Sequence, residues 1–231
     1  MDFFEVVKQR RSIRKYKDTA VPDEVVNKAI DAALLAPNSS NLQTWQFYWI
    51  KNPKAKPKFI EACLNQGAAR TAQHLLIAVS DRKLWKRTQK LLIENFNQDP
   101  AVAQRKDIQN YYGKLIPLLY GWQILAPLRW LMFNVAGIFK PTPRKPWSTG
   151  NLDEVSIKSC ALACENFMLA VTAQGYDSCP MEGLDESRMK RLLQLGSSAR
   201  VVMAISVGVR EERGVWGKQF RIPKNLVVFE K

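Results

Sequence analysis

NLDEVSIKSCALACENFMLAVTAQG, residues 151–175, decides the architecture of this chain. From Ala161 to Val171 its apolar residues do not keep to one stripe; they run nearly all round a helical wheel. A helix with that pattern is buried, so it is expected at the centre of the protein. Asn151 is placed to cap it, Glu154 stands at the reciprocal capping position, and Gly175 can stop it.

Working outward, helices and a few separated strands surround this segment. Residues 2–9 put Phe3, Phe4, Val6 and Val7 on a short helical face, and RRSIRKY (10–16) follows as an exit loop. Pro22 suits a first helical position, and Val25, Val26, Ala29, Ile30, Ala33 and Leu34 continue at helical spacing until Pro37. Helices are also predicted over 55–66, 82–98 and 185–195. QFYWI (46–50), HLLIAVS (74–80), RVVMAISVGV (200–209) and NLVVFE (225–230) read as strands. Many helices with few strands imply an α+β fold, with helices packed on a central sheet. No G-x-G-x-x-G follows a strand and no phosphate-binding P-loop is present.

The 231 residues suffice for one domain, 1–231, with a well-buried core. The N-terminus MDFFEVVKQRR lacks an apolar signal region, which implies a cytoplasmic protein. Cys63, Cys160, Cys164 and Cys179 then read as free thiols. Cys160 and Cys164 stand one helical turn apart, but no second Cys/His pair completes a metal site, and no metal is expected. The lone histidine, His74, opens a buried strand and reads as structural. The net charge of +14 attracts anions. It points to phosphorylated cofactors or an acidic membrane, and without a recognition motif it does not imply nucleic acid.

Residues 111–147, YYGKLIPLLYGWQILAPLRWLMFNVAGIFKPTPRKPW, stand apart. The run 115–139 has the length of a bilayer span, but Pro117, Gly121, Pro127 and Gly137 interrupt it and Arg129 sits near its middle. A hydrophobic insert or lid at about 100–147 is the expected reading. Its flanking Lys114, Lys140, Arg144 and Lys145 admit peripheral membrane contact through 115–139.

Four clusters carry chemistry. RRSIRKY supplies Arg10, Arg11, Ser12 and Arg14, whose guanidinium forks and hydroxyl match phosphate oxygens. APNSSNLQTWQF (36–47) supplies neutral amides and hydroxyls, Asn38, Ser39, Ser40, Asn41 and Gln43, suited to a polar heterocycle. DSCPMEGLD (177–185) is a proline-bearing turn whose Gly183 permits close backbone approach to a ligand. WGKQFRIP (216–223) adds Lys218 and Arg221.

In that order and spacing the clusters resemble the FMN-dependent nitroreductase family. R-R-S-x-R follows the first helix, A-P-x-S-x-N-x-Q-x-W the second, P-x-E-G-x-D precedes a late helix, and a basic R-x-P lies near the C-terminus. The likeness covers nearly the whole chain apart from about 100–147. It implies a nitroreductase-like fold, with a central, mostly antiparallel sheet flanked by helices and an intertwined dimer with a C-terminal extension. It implies FMN as cofactor and NAD(P)H as electron donor. By the same resemblance Arg10, Arg11, Ser12 and Arg14 hold the phosphate and pyrimidine edge. Pro37, Asn38, Ser39, Asn41 and Gln43 serve the partner subunit's flavin. Pro180, Met181, Glu182 and Gly183 bring a backbone N–H near flavin N5, Arg221 and Lys218 reach the phosphate, and Asn65 or Gln66 touches the ring. Ala68 stands where some members carry lysine, and Thr44 where many carry proline.

The flavin does the chemistry, so no catalytic side chain is expected. Hydride passes from NAD(P)H through flavin N5 to a hydrophobic or aromatic acceptor such as a quinone or nitroaromatic. Tyr111, Tyr112, Tyr120, Trp122, Trp130 and Phe133 of the lid are the expected acceptor contacts, with Tyr112, Tyr120, Trp122 and Phe133 foremost. The alternatives are a flavin-dependent reductive dehalogenase, or a basic membrane-surface protein that keeps the fold without turnover.

Overall fold

Four antiparallel strands in the order β1-β2-β4-β3 make the central sheet of this computed structural model, which describes residues 2–121 and 123–231. In chain order the elements are α1 (Phe3–Gln9), α2 (Asp23–Leu34), β1 (Trp45–Trp49), α3 (Lys56–Ala62), α4 (Gly67–Thr71) and β2 (His74–Asp81). The insert then contributes α5 (Trp85–Gln98), α6 (Pro100–Ala103), α7 (Lys106–Asn110), a π-turn at Tyr111–Leu115, α8 (Ile116–Tyr120) and α9 (Ala126–Phe139). The chain continues with α10 (Thr149–Ala173), β3 (Asp177–Met181), α11 (Glu186–Leu192) and β4 (Ala199–Gly208). The expected acceptor contact Trp122 lies outside the described residues.

Both faces of the sheet are covered, which explains why β2 and β4 read as continuous apolar runs. Strand alternation sends Leu76 and Ala78 to α2 and α10, and Leu75, Ile77 and Val79 to the side holding Phe59, Ala62 and Met189 of α3 and α11. His74 is a structural residue here: Nε2 lies 2.8 Å from Val21 O.

Helix α10 is the core helix, though not as its sequence predicts. Cys160, Ala163, Cys164, Phe167, Met168 and Val171 are buried on one broad face, while Leu162 is exposed. Among the described residues it is also the one helix long and apolar enough to cross a membrane, and its packing here is that of a core element. Its cap is Ser148, whose Oγ accepts from Asn151 N. Asn151 instead accepts from Trp147 N and Ser148 Oγ, and Glu154 pairs with Lys145 and Lys158. Ser148 and Asn151 are both cap formers, and the extended backbone of Ser148 (φ −126°, ψ 166°) selects it. Gly175 stops the helix at φ +82°.

Three further expectations are corrected. Residues 177–181 form a strand rather than a turn. Pro180 is tolerated there because β3 is the edge strand. Residues 55–66 do not make one helix, since α3 ends at Ala62 and Leu64 and Asn65 take left-handed backbone (φ 57° and 53°). Residues 225–230 are not a strand: a single 3-10 turn spans Lys224–Leu226, and the apolar residues after it are exposed.

All four thiols are buried. Burial pushes Cys63 up to about 11 and raises Cys179, while Cys160 is raised by its hydrogen bond with Cys164 and then by burial. At pH 8 the native protein should therefore release no colour from a thiol-disulfide reagent, and all four thiols should react in denaturant. Rapid reaction of a native thiol would contradict this packing.

Candidate functional site

Residues 10–16 connect α1 to the sheet along its β3 edge. Arg10 caps α1, its N–H bonded to Val6 O. Ile13 N then donates to Ser178 O at 3.1 Å, so the segment covers the outer edge of β3. Ile13 and Tyr16 are buried, and the Tyr16 hydroxyl lies 2.9 Å from Ser206 Oγ. By alternation Ser12 and Arg14 take the other side.

Three remote stretches fasten this segment. Arg14 N donates to Gly214 O at 2.7 Å, and the Arg14 guanidinium lies 4.1 Å over the Trp216 ring. Arg11 donates to Gly217 O at 3.0 Å. Tyr16 N donates to Thr71 Oγ1 at 3.0 Å, and the first residue of α4, Gly67, meets the Arg14 carbonyl so closely that a Cβ there would stand 2.8 Å from it. Arg10 Nε lies 4.0 Å from Glu165 of α10.

Gln66 joins the late motif to this frame. Its Nε2 donates to Gly183 O at 2.6 Å and to Cys63 O at 3.1 Å. Glu182 and Gly183 are exposed beyond the last ladder pair, Met181 with Ala204, and neither of their N–H groups donates to a described residue. Pro180 and Met181 lie within β3. Burial raises the Cys179 thiol against the opposing pull of Arg14 and Arg10, so the field of both cations reaches the strand. Arg10, Ser12, Arg14, Gln66 and Gly183 thus gather at one sheet edge, with Asn65 adjoining in left-handed backbone.

The loop 36–44 belongs elsewhere. Asn38 Oδ1 accepts from Gln43 N at 2.9 Å, and Asn41 Oδ1 accepts from Gln43 Nε2 at 3.2 Å. Ser39 N donates to Ser159 Oγ of α10 at 3.4 Å. Among the described residues no hydrogen bond or ion pair joins this loop to residues 10–14, 65–66 or 180–183. Pro37 precedes it, between α2 and the loop.

The insert holds that loop through three tyrosines. Tyr111 Oη lies 2.6 Å from Ser40 Oγ, Tyr112 donates to Ser40 O at 3.1 Å, and Tyr120 hydrogen-bonds Ser39. Burial raises the pKa of Tyr112 and Tyr120, so both keep their phenolic protons at physiological pH. Tyr112 also walls a cavity of about 280 Å³ with Ile93, Phe96 and Ile108. Phe133 is half-buried on α9. Lys218 and Arg221 are exposed, and among the described residues Arg221 donates only to the carbonyl of its neighbour Phe220, at 2.7 Å. A separate cavity of about 580 Å³ lies between α2, β1 and α5, and the second motif lines it at Gln43, Trp45, Gln46 and Phe47.

Sequence reading missed Trp216, Gly67, Thr71 and the tyrosine clamp. It also missed a backbone signal. Of the non-glycine residues with positive φ, Ser40, Asn41, Gln43, Leu64 and Asn65 fall in the two proposed ring-binding stretches, with Gln194 the other described one. Left-handed backbone at non-glycine positions costs of order 1 kcal/mol each and clusters at ligand clamps.

A sheet covered on both faces, with a cationic segment and unspent N–H groups at one edge, makes an α+β fold whose open edge offers donors suited to an anion. The family model for the nitroreductase family matches residues 7–209, and the chain belongs to that family. It is 29% identical to Protein DrgA of Synechocystis over 92% of this chain and 86% of that one. It is 24% identical to an NADH dehydrogenase of Thermus thermophilus, over 95% and 91%. Among solved structures it superposes on the ydfN chain of Bacillus subtilis with a TM-score of 0.79 at 21% identity, over 99% and 98%. An Exiguobacterium sibiricum chain in complex with FMN gives 0.71 at 23% identity, over 100% and 98%.

Proposed function

We propose that this protein is an FMN-dependent oxidoreductase that takes electrons from NAD(P)H and delivers them to a hydrophobic or aromatic acceptor, a quinone or a nitroaromatic. The observation that carries the reading is the gathering of Arg10, Ser12, Arg14, Gln66 and Gly183 at one sheet edge, from three stretches distant in sequence. The donor set fits FMN: guanidinium and hydroxyl groups for the phosphate, amides and free backbone N–H groups for the ring. Relatives named NAD(P)H nitroreductase and NADH dehydrogenase, and a neighbour holding FMN, support it.

When bound, the flavin supplies hydride transfer at N5, and the protein supplies orientation and access. Arg10, Arg11, Ser12 and Arg14 hold the phosphate and pyrimidine edge. Glu182 and Gly183, braced by Pro180, Met181 and the Gln66 bond, offer backbone donors to the ring, and Asn65 flanks them. Cations beside the pyrimidine favour the negative charge of the reduced ring. Tyr112 and Phe133 line the acceptor's approach, and Tyr120 fixes the loop that shapes it.

The protein acts as a homodimer with two sites at the interface. Among the described residues loop 37–43 bonds nothing at its own cation cluster, and it reaches the partner's flavin. The exposed C-terminal arm, with Trp216, Phe220 and Phe229, and the uncovered side of α10 at Leu162 are apolar surface that a second copy covers. Lys218 and Arg221 ride on that arm toward a phosphate. Four free thiols suit a cytoplasmic setting.

The purified protein is expected to be yellow with flavin absorbance and to sediment as a dimer. Arg10→Ala and Arg14→Ala should each weaken FMN retention about tenfold or more, the effect of losing a charge-assisted hydrogen bond. A colourless protein that FMN does not reconstitute would overturn the reading.

A further inference from the structure

Helix α9 wears its apolar stripe on the outside. Leu128, Leu131, Met132, Val135, Ile138 and Phe139 are exposed, the last two at 74% and 83%. Their spacing of i, i+3, i+4, i+7, i+10 and i+11 places them on one face, and in an ordinary surface helix that face points inward.

The only charged residue of α9 points the other way. Arg129 is 4% exposed, and its guanidinium donates to Leu118 O, to Leu119 O at 3.2 Å and to Trp147 O at 3.1 Å. The Trp130 ring packs edge-on against Trp147 at 6.3 Å. Arg129 and Trp130 therefore hold the helix to the body and leave its outer stripe without any charge.

The surroundings are cationic. From residue 108 to 152 the chain has no Asp or Glu, but it carries Lys114, Arg129, Lys140, Arg144 and Lys145. Lys140 ends α9, and Arg144 folds back on it, donating to Asn134 Oδ1 at 2.7 Å and Gly137 O at 3.0 Å. Lys145 pairs with Glu154 at 3.1 Å. A nearby cavity of about 360 Å³ adds Lys83 and Lys86, and Arg82 already bonded to Asp153, beside Tyr120 and Thr149.

We propose that α9 docks the protein on an anionic lipid bilayer. The helix lies in the plane of the interface, stripe immersed, with Lys140 and Arg144 at headgroup phosphates. Fourteen residues make a helix about 21 Å long, too short to span and suited to lying flat. A second copy is the poorer occupant. A two-fold contact of the stripe would set the acid-free, cationic segment against its own copy, whereas anionic lipid matches both the stripe and its border. The proposal does not depend on the flavin reading.

The test is co-sedimentation of the full-length protein, as purified, with vesicles of equal parts phosphatidylglycerol and phosphatidylcholine. Pelleting is expected, about tenfold weaker with phosphatidylcholine alone and sharply reduced in about 0.5 M salt. The double variant Leu131→Glu/Ile138→Glu should lose binding about tenfold or more, because charges on an immersed face are expelled. Its oligomeric mass and flavin content should match wild type. Met132→Trp should bind more tightly, as an interfacial aromatic does. Failure of the wild type to pellet with anionic vesicles overturns the proposal, as does wild-type binding by the double variant. A changed oligomeric mass in the double variant also overturns it and assigns the stripe to a subunit contact. A colourless wild type that still pellets would overturn the flavin reading alone.

Discussion

Phe167→Ala is expected to destabilise the protein by about 3–5 kcal/mol, the cost of emptying a filled core site of aromatic size. Phe167 is fully buried on α10, among the apolar side chains of α2 and the inner positions of β2 and β4. Those neighbours come from a helix on one side and a sheet on the other. Neither can move in to fill the void without disturbing its own ladder or helix. In urea the unfolding midpoint should fall while the slope with denaturant stays unchanged. Leu162→Ala, an exposed position on the same helix, separates chain packing from assembly. It should leave monomer unfolding nearly unaltered and weaken the dimer if a second copy covers that side. A small effect of Phe167→Ala would mean that α10 is not the element around which the sheet is packed.

The contrast between those two residues marks how far sequence patterning reaches. An apolar surface all round α10 correctly identifies the core helix. It does not separate the face that this chain covers from the face left open, because both demand apolar side chains. Strands β2 and β4 were legible for the same reason, and the stop at Gly175 was legible from its glycine. Strand β3 was not, because Pro180 signals a turn in any local reading, and only its place at the sheet edge makes it acceptable. The alternating residues near the C-terminus have strand-like composition but pair with none of the described residues, so composition alone misleads there.

The site divides in the same manner. The residue types of the four clusters were legible, since phosphate calls for arginine and a heterocycle for amides. What brings them together was not. The Gln66 bond to Gly183, Trp216 beneath Arg14, and the left-handed turns at Leu64–Asn65 and Ser40–Asn41 depend on chain paths that no spacing rule encodes. The lid tyrosines carry a similar lesson. Aromatic composition suggests contacts to a flat acceptor, whereas the hydroxyls of Tyr111, Tyr112 and Tyr120 are spent on Ser39 and Ser40. A residue that grips the loop can also wall a cavity, as Tyr112 does within the insert.

Gly67→Ala should lower FMN affinity about tenfold, a loss of roughly 1.4 kcal/mol, although the same change favours helix formation in isolation. Gly67 is the first residue of α4, and alanine there gains up to about 1 kcal/mol in helix propensity. The gain is outweighed because the new Cβ would stand 2.8 Å from the Arg14 carbonyl, a backbone atom with no rotamer to yield. Relief requires the segment at Arg14 to shift. That segment is pinned on both sides of the contact, by Arg14 N to Gly214 O and by Tyr16 N to Thr71. The strain therefore falls on the arrangement of Arg10, Ser12 and Arg14, the cations and hydroxyl proposed above to hold the cofactor phosphate. Stability should drop by about 1–3 kcal/mol at the same time, in the range of overpacked sites. Gly196→Ala provides the comparison, because a Cβ there meets nothing within 4 Å. It should hold flavin as wild type does, with stability unchanged or slightly raised. Flavin titration and thermal melts of the two variants separate the cases. If Gly67→Ala bound FMN as tightly as wild type and melted higher, α4 would not be what positions the cationic segment, and the close approach at Arg14 would carry no functional weight.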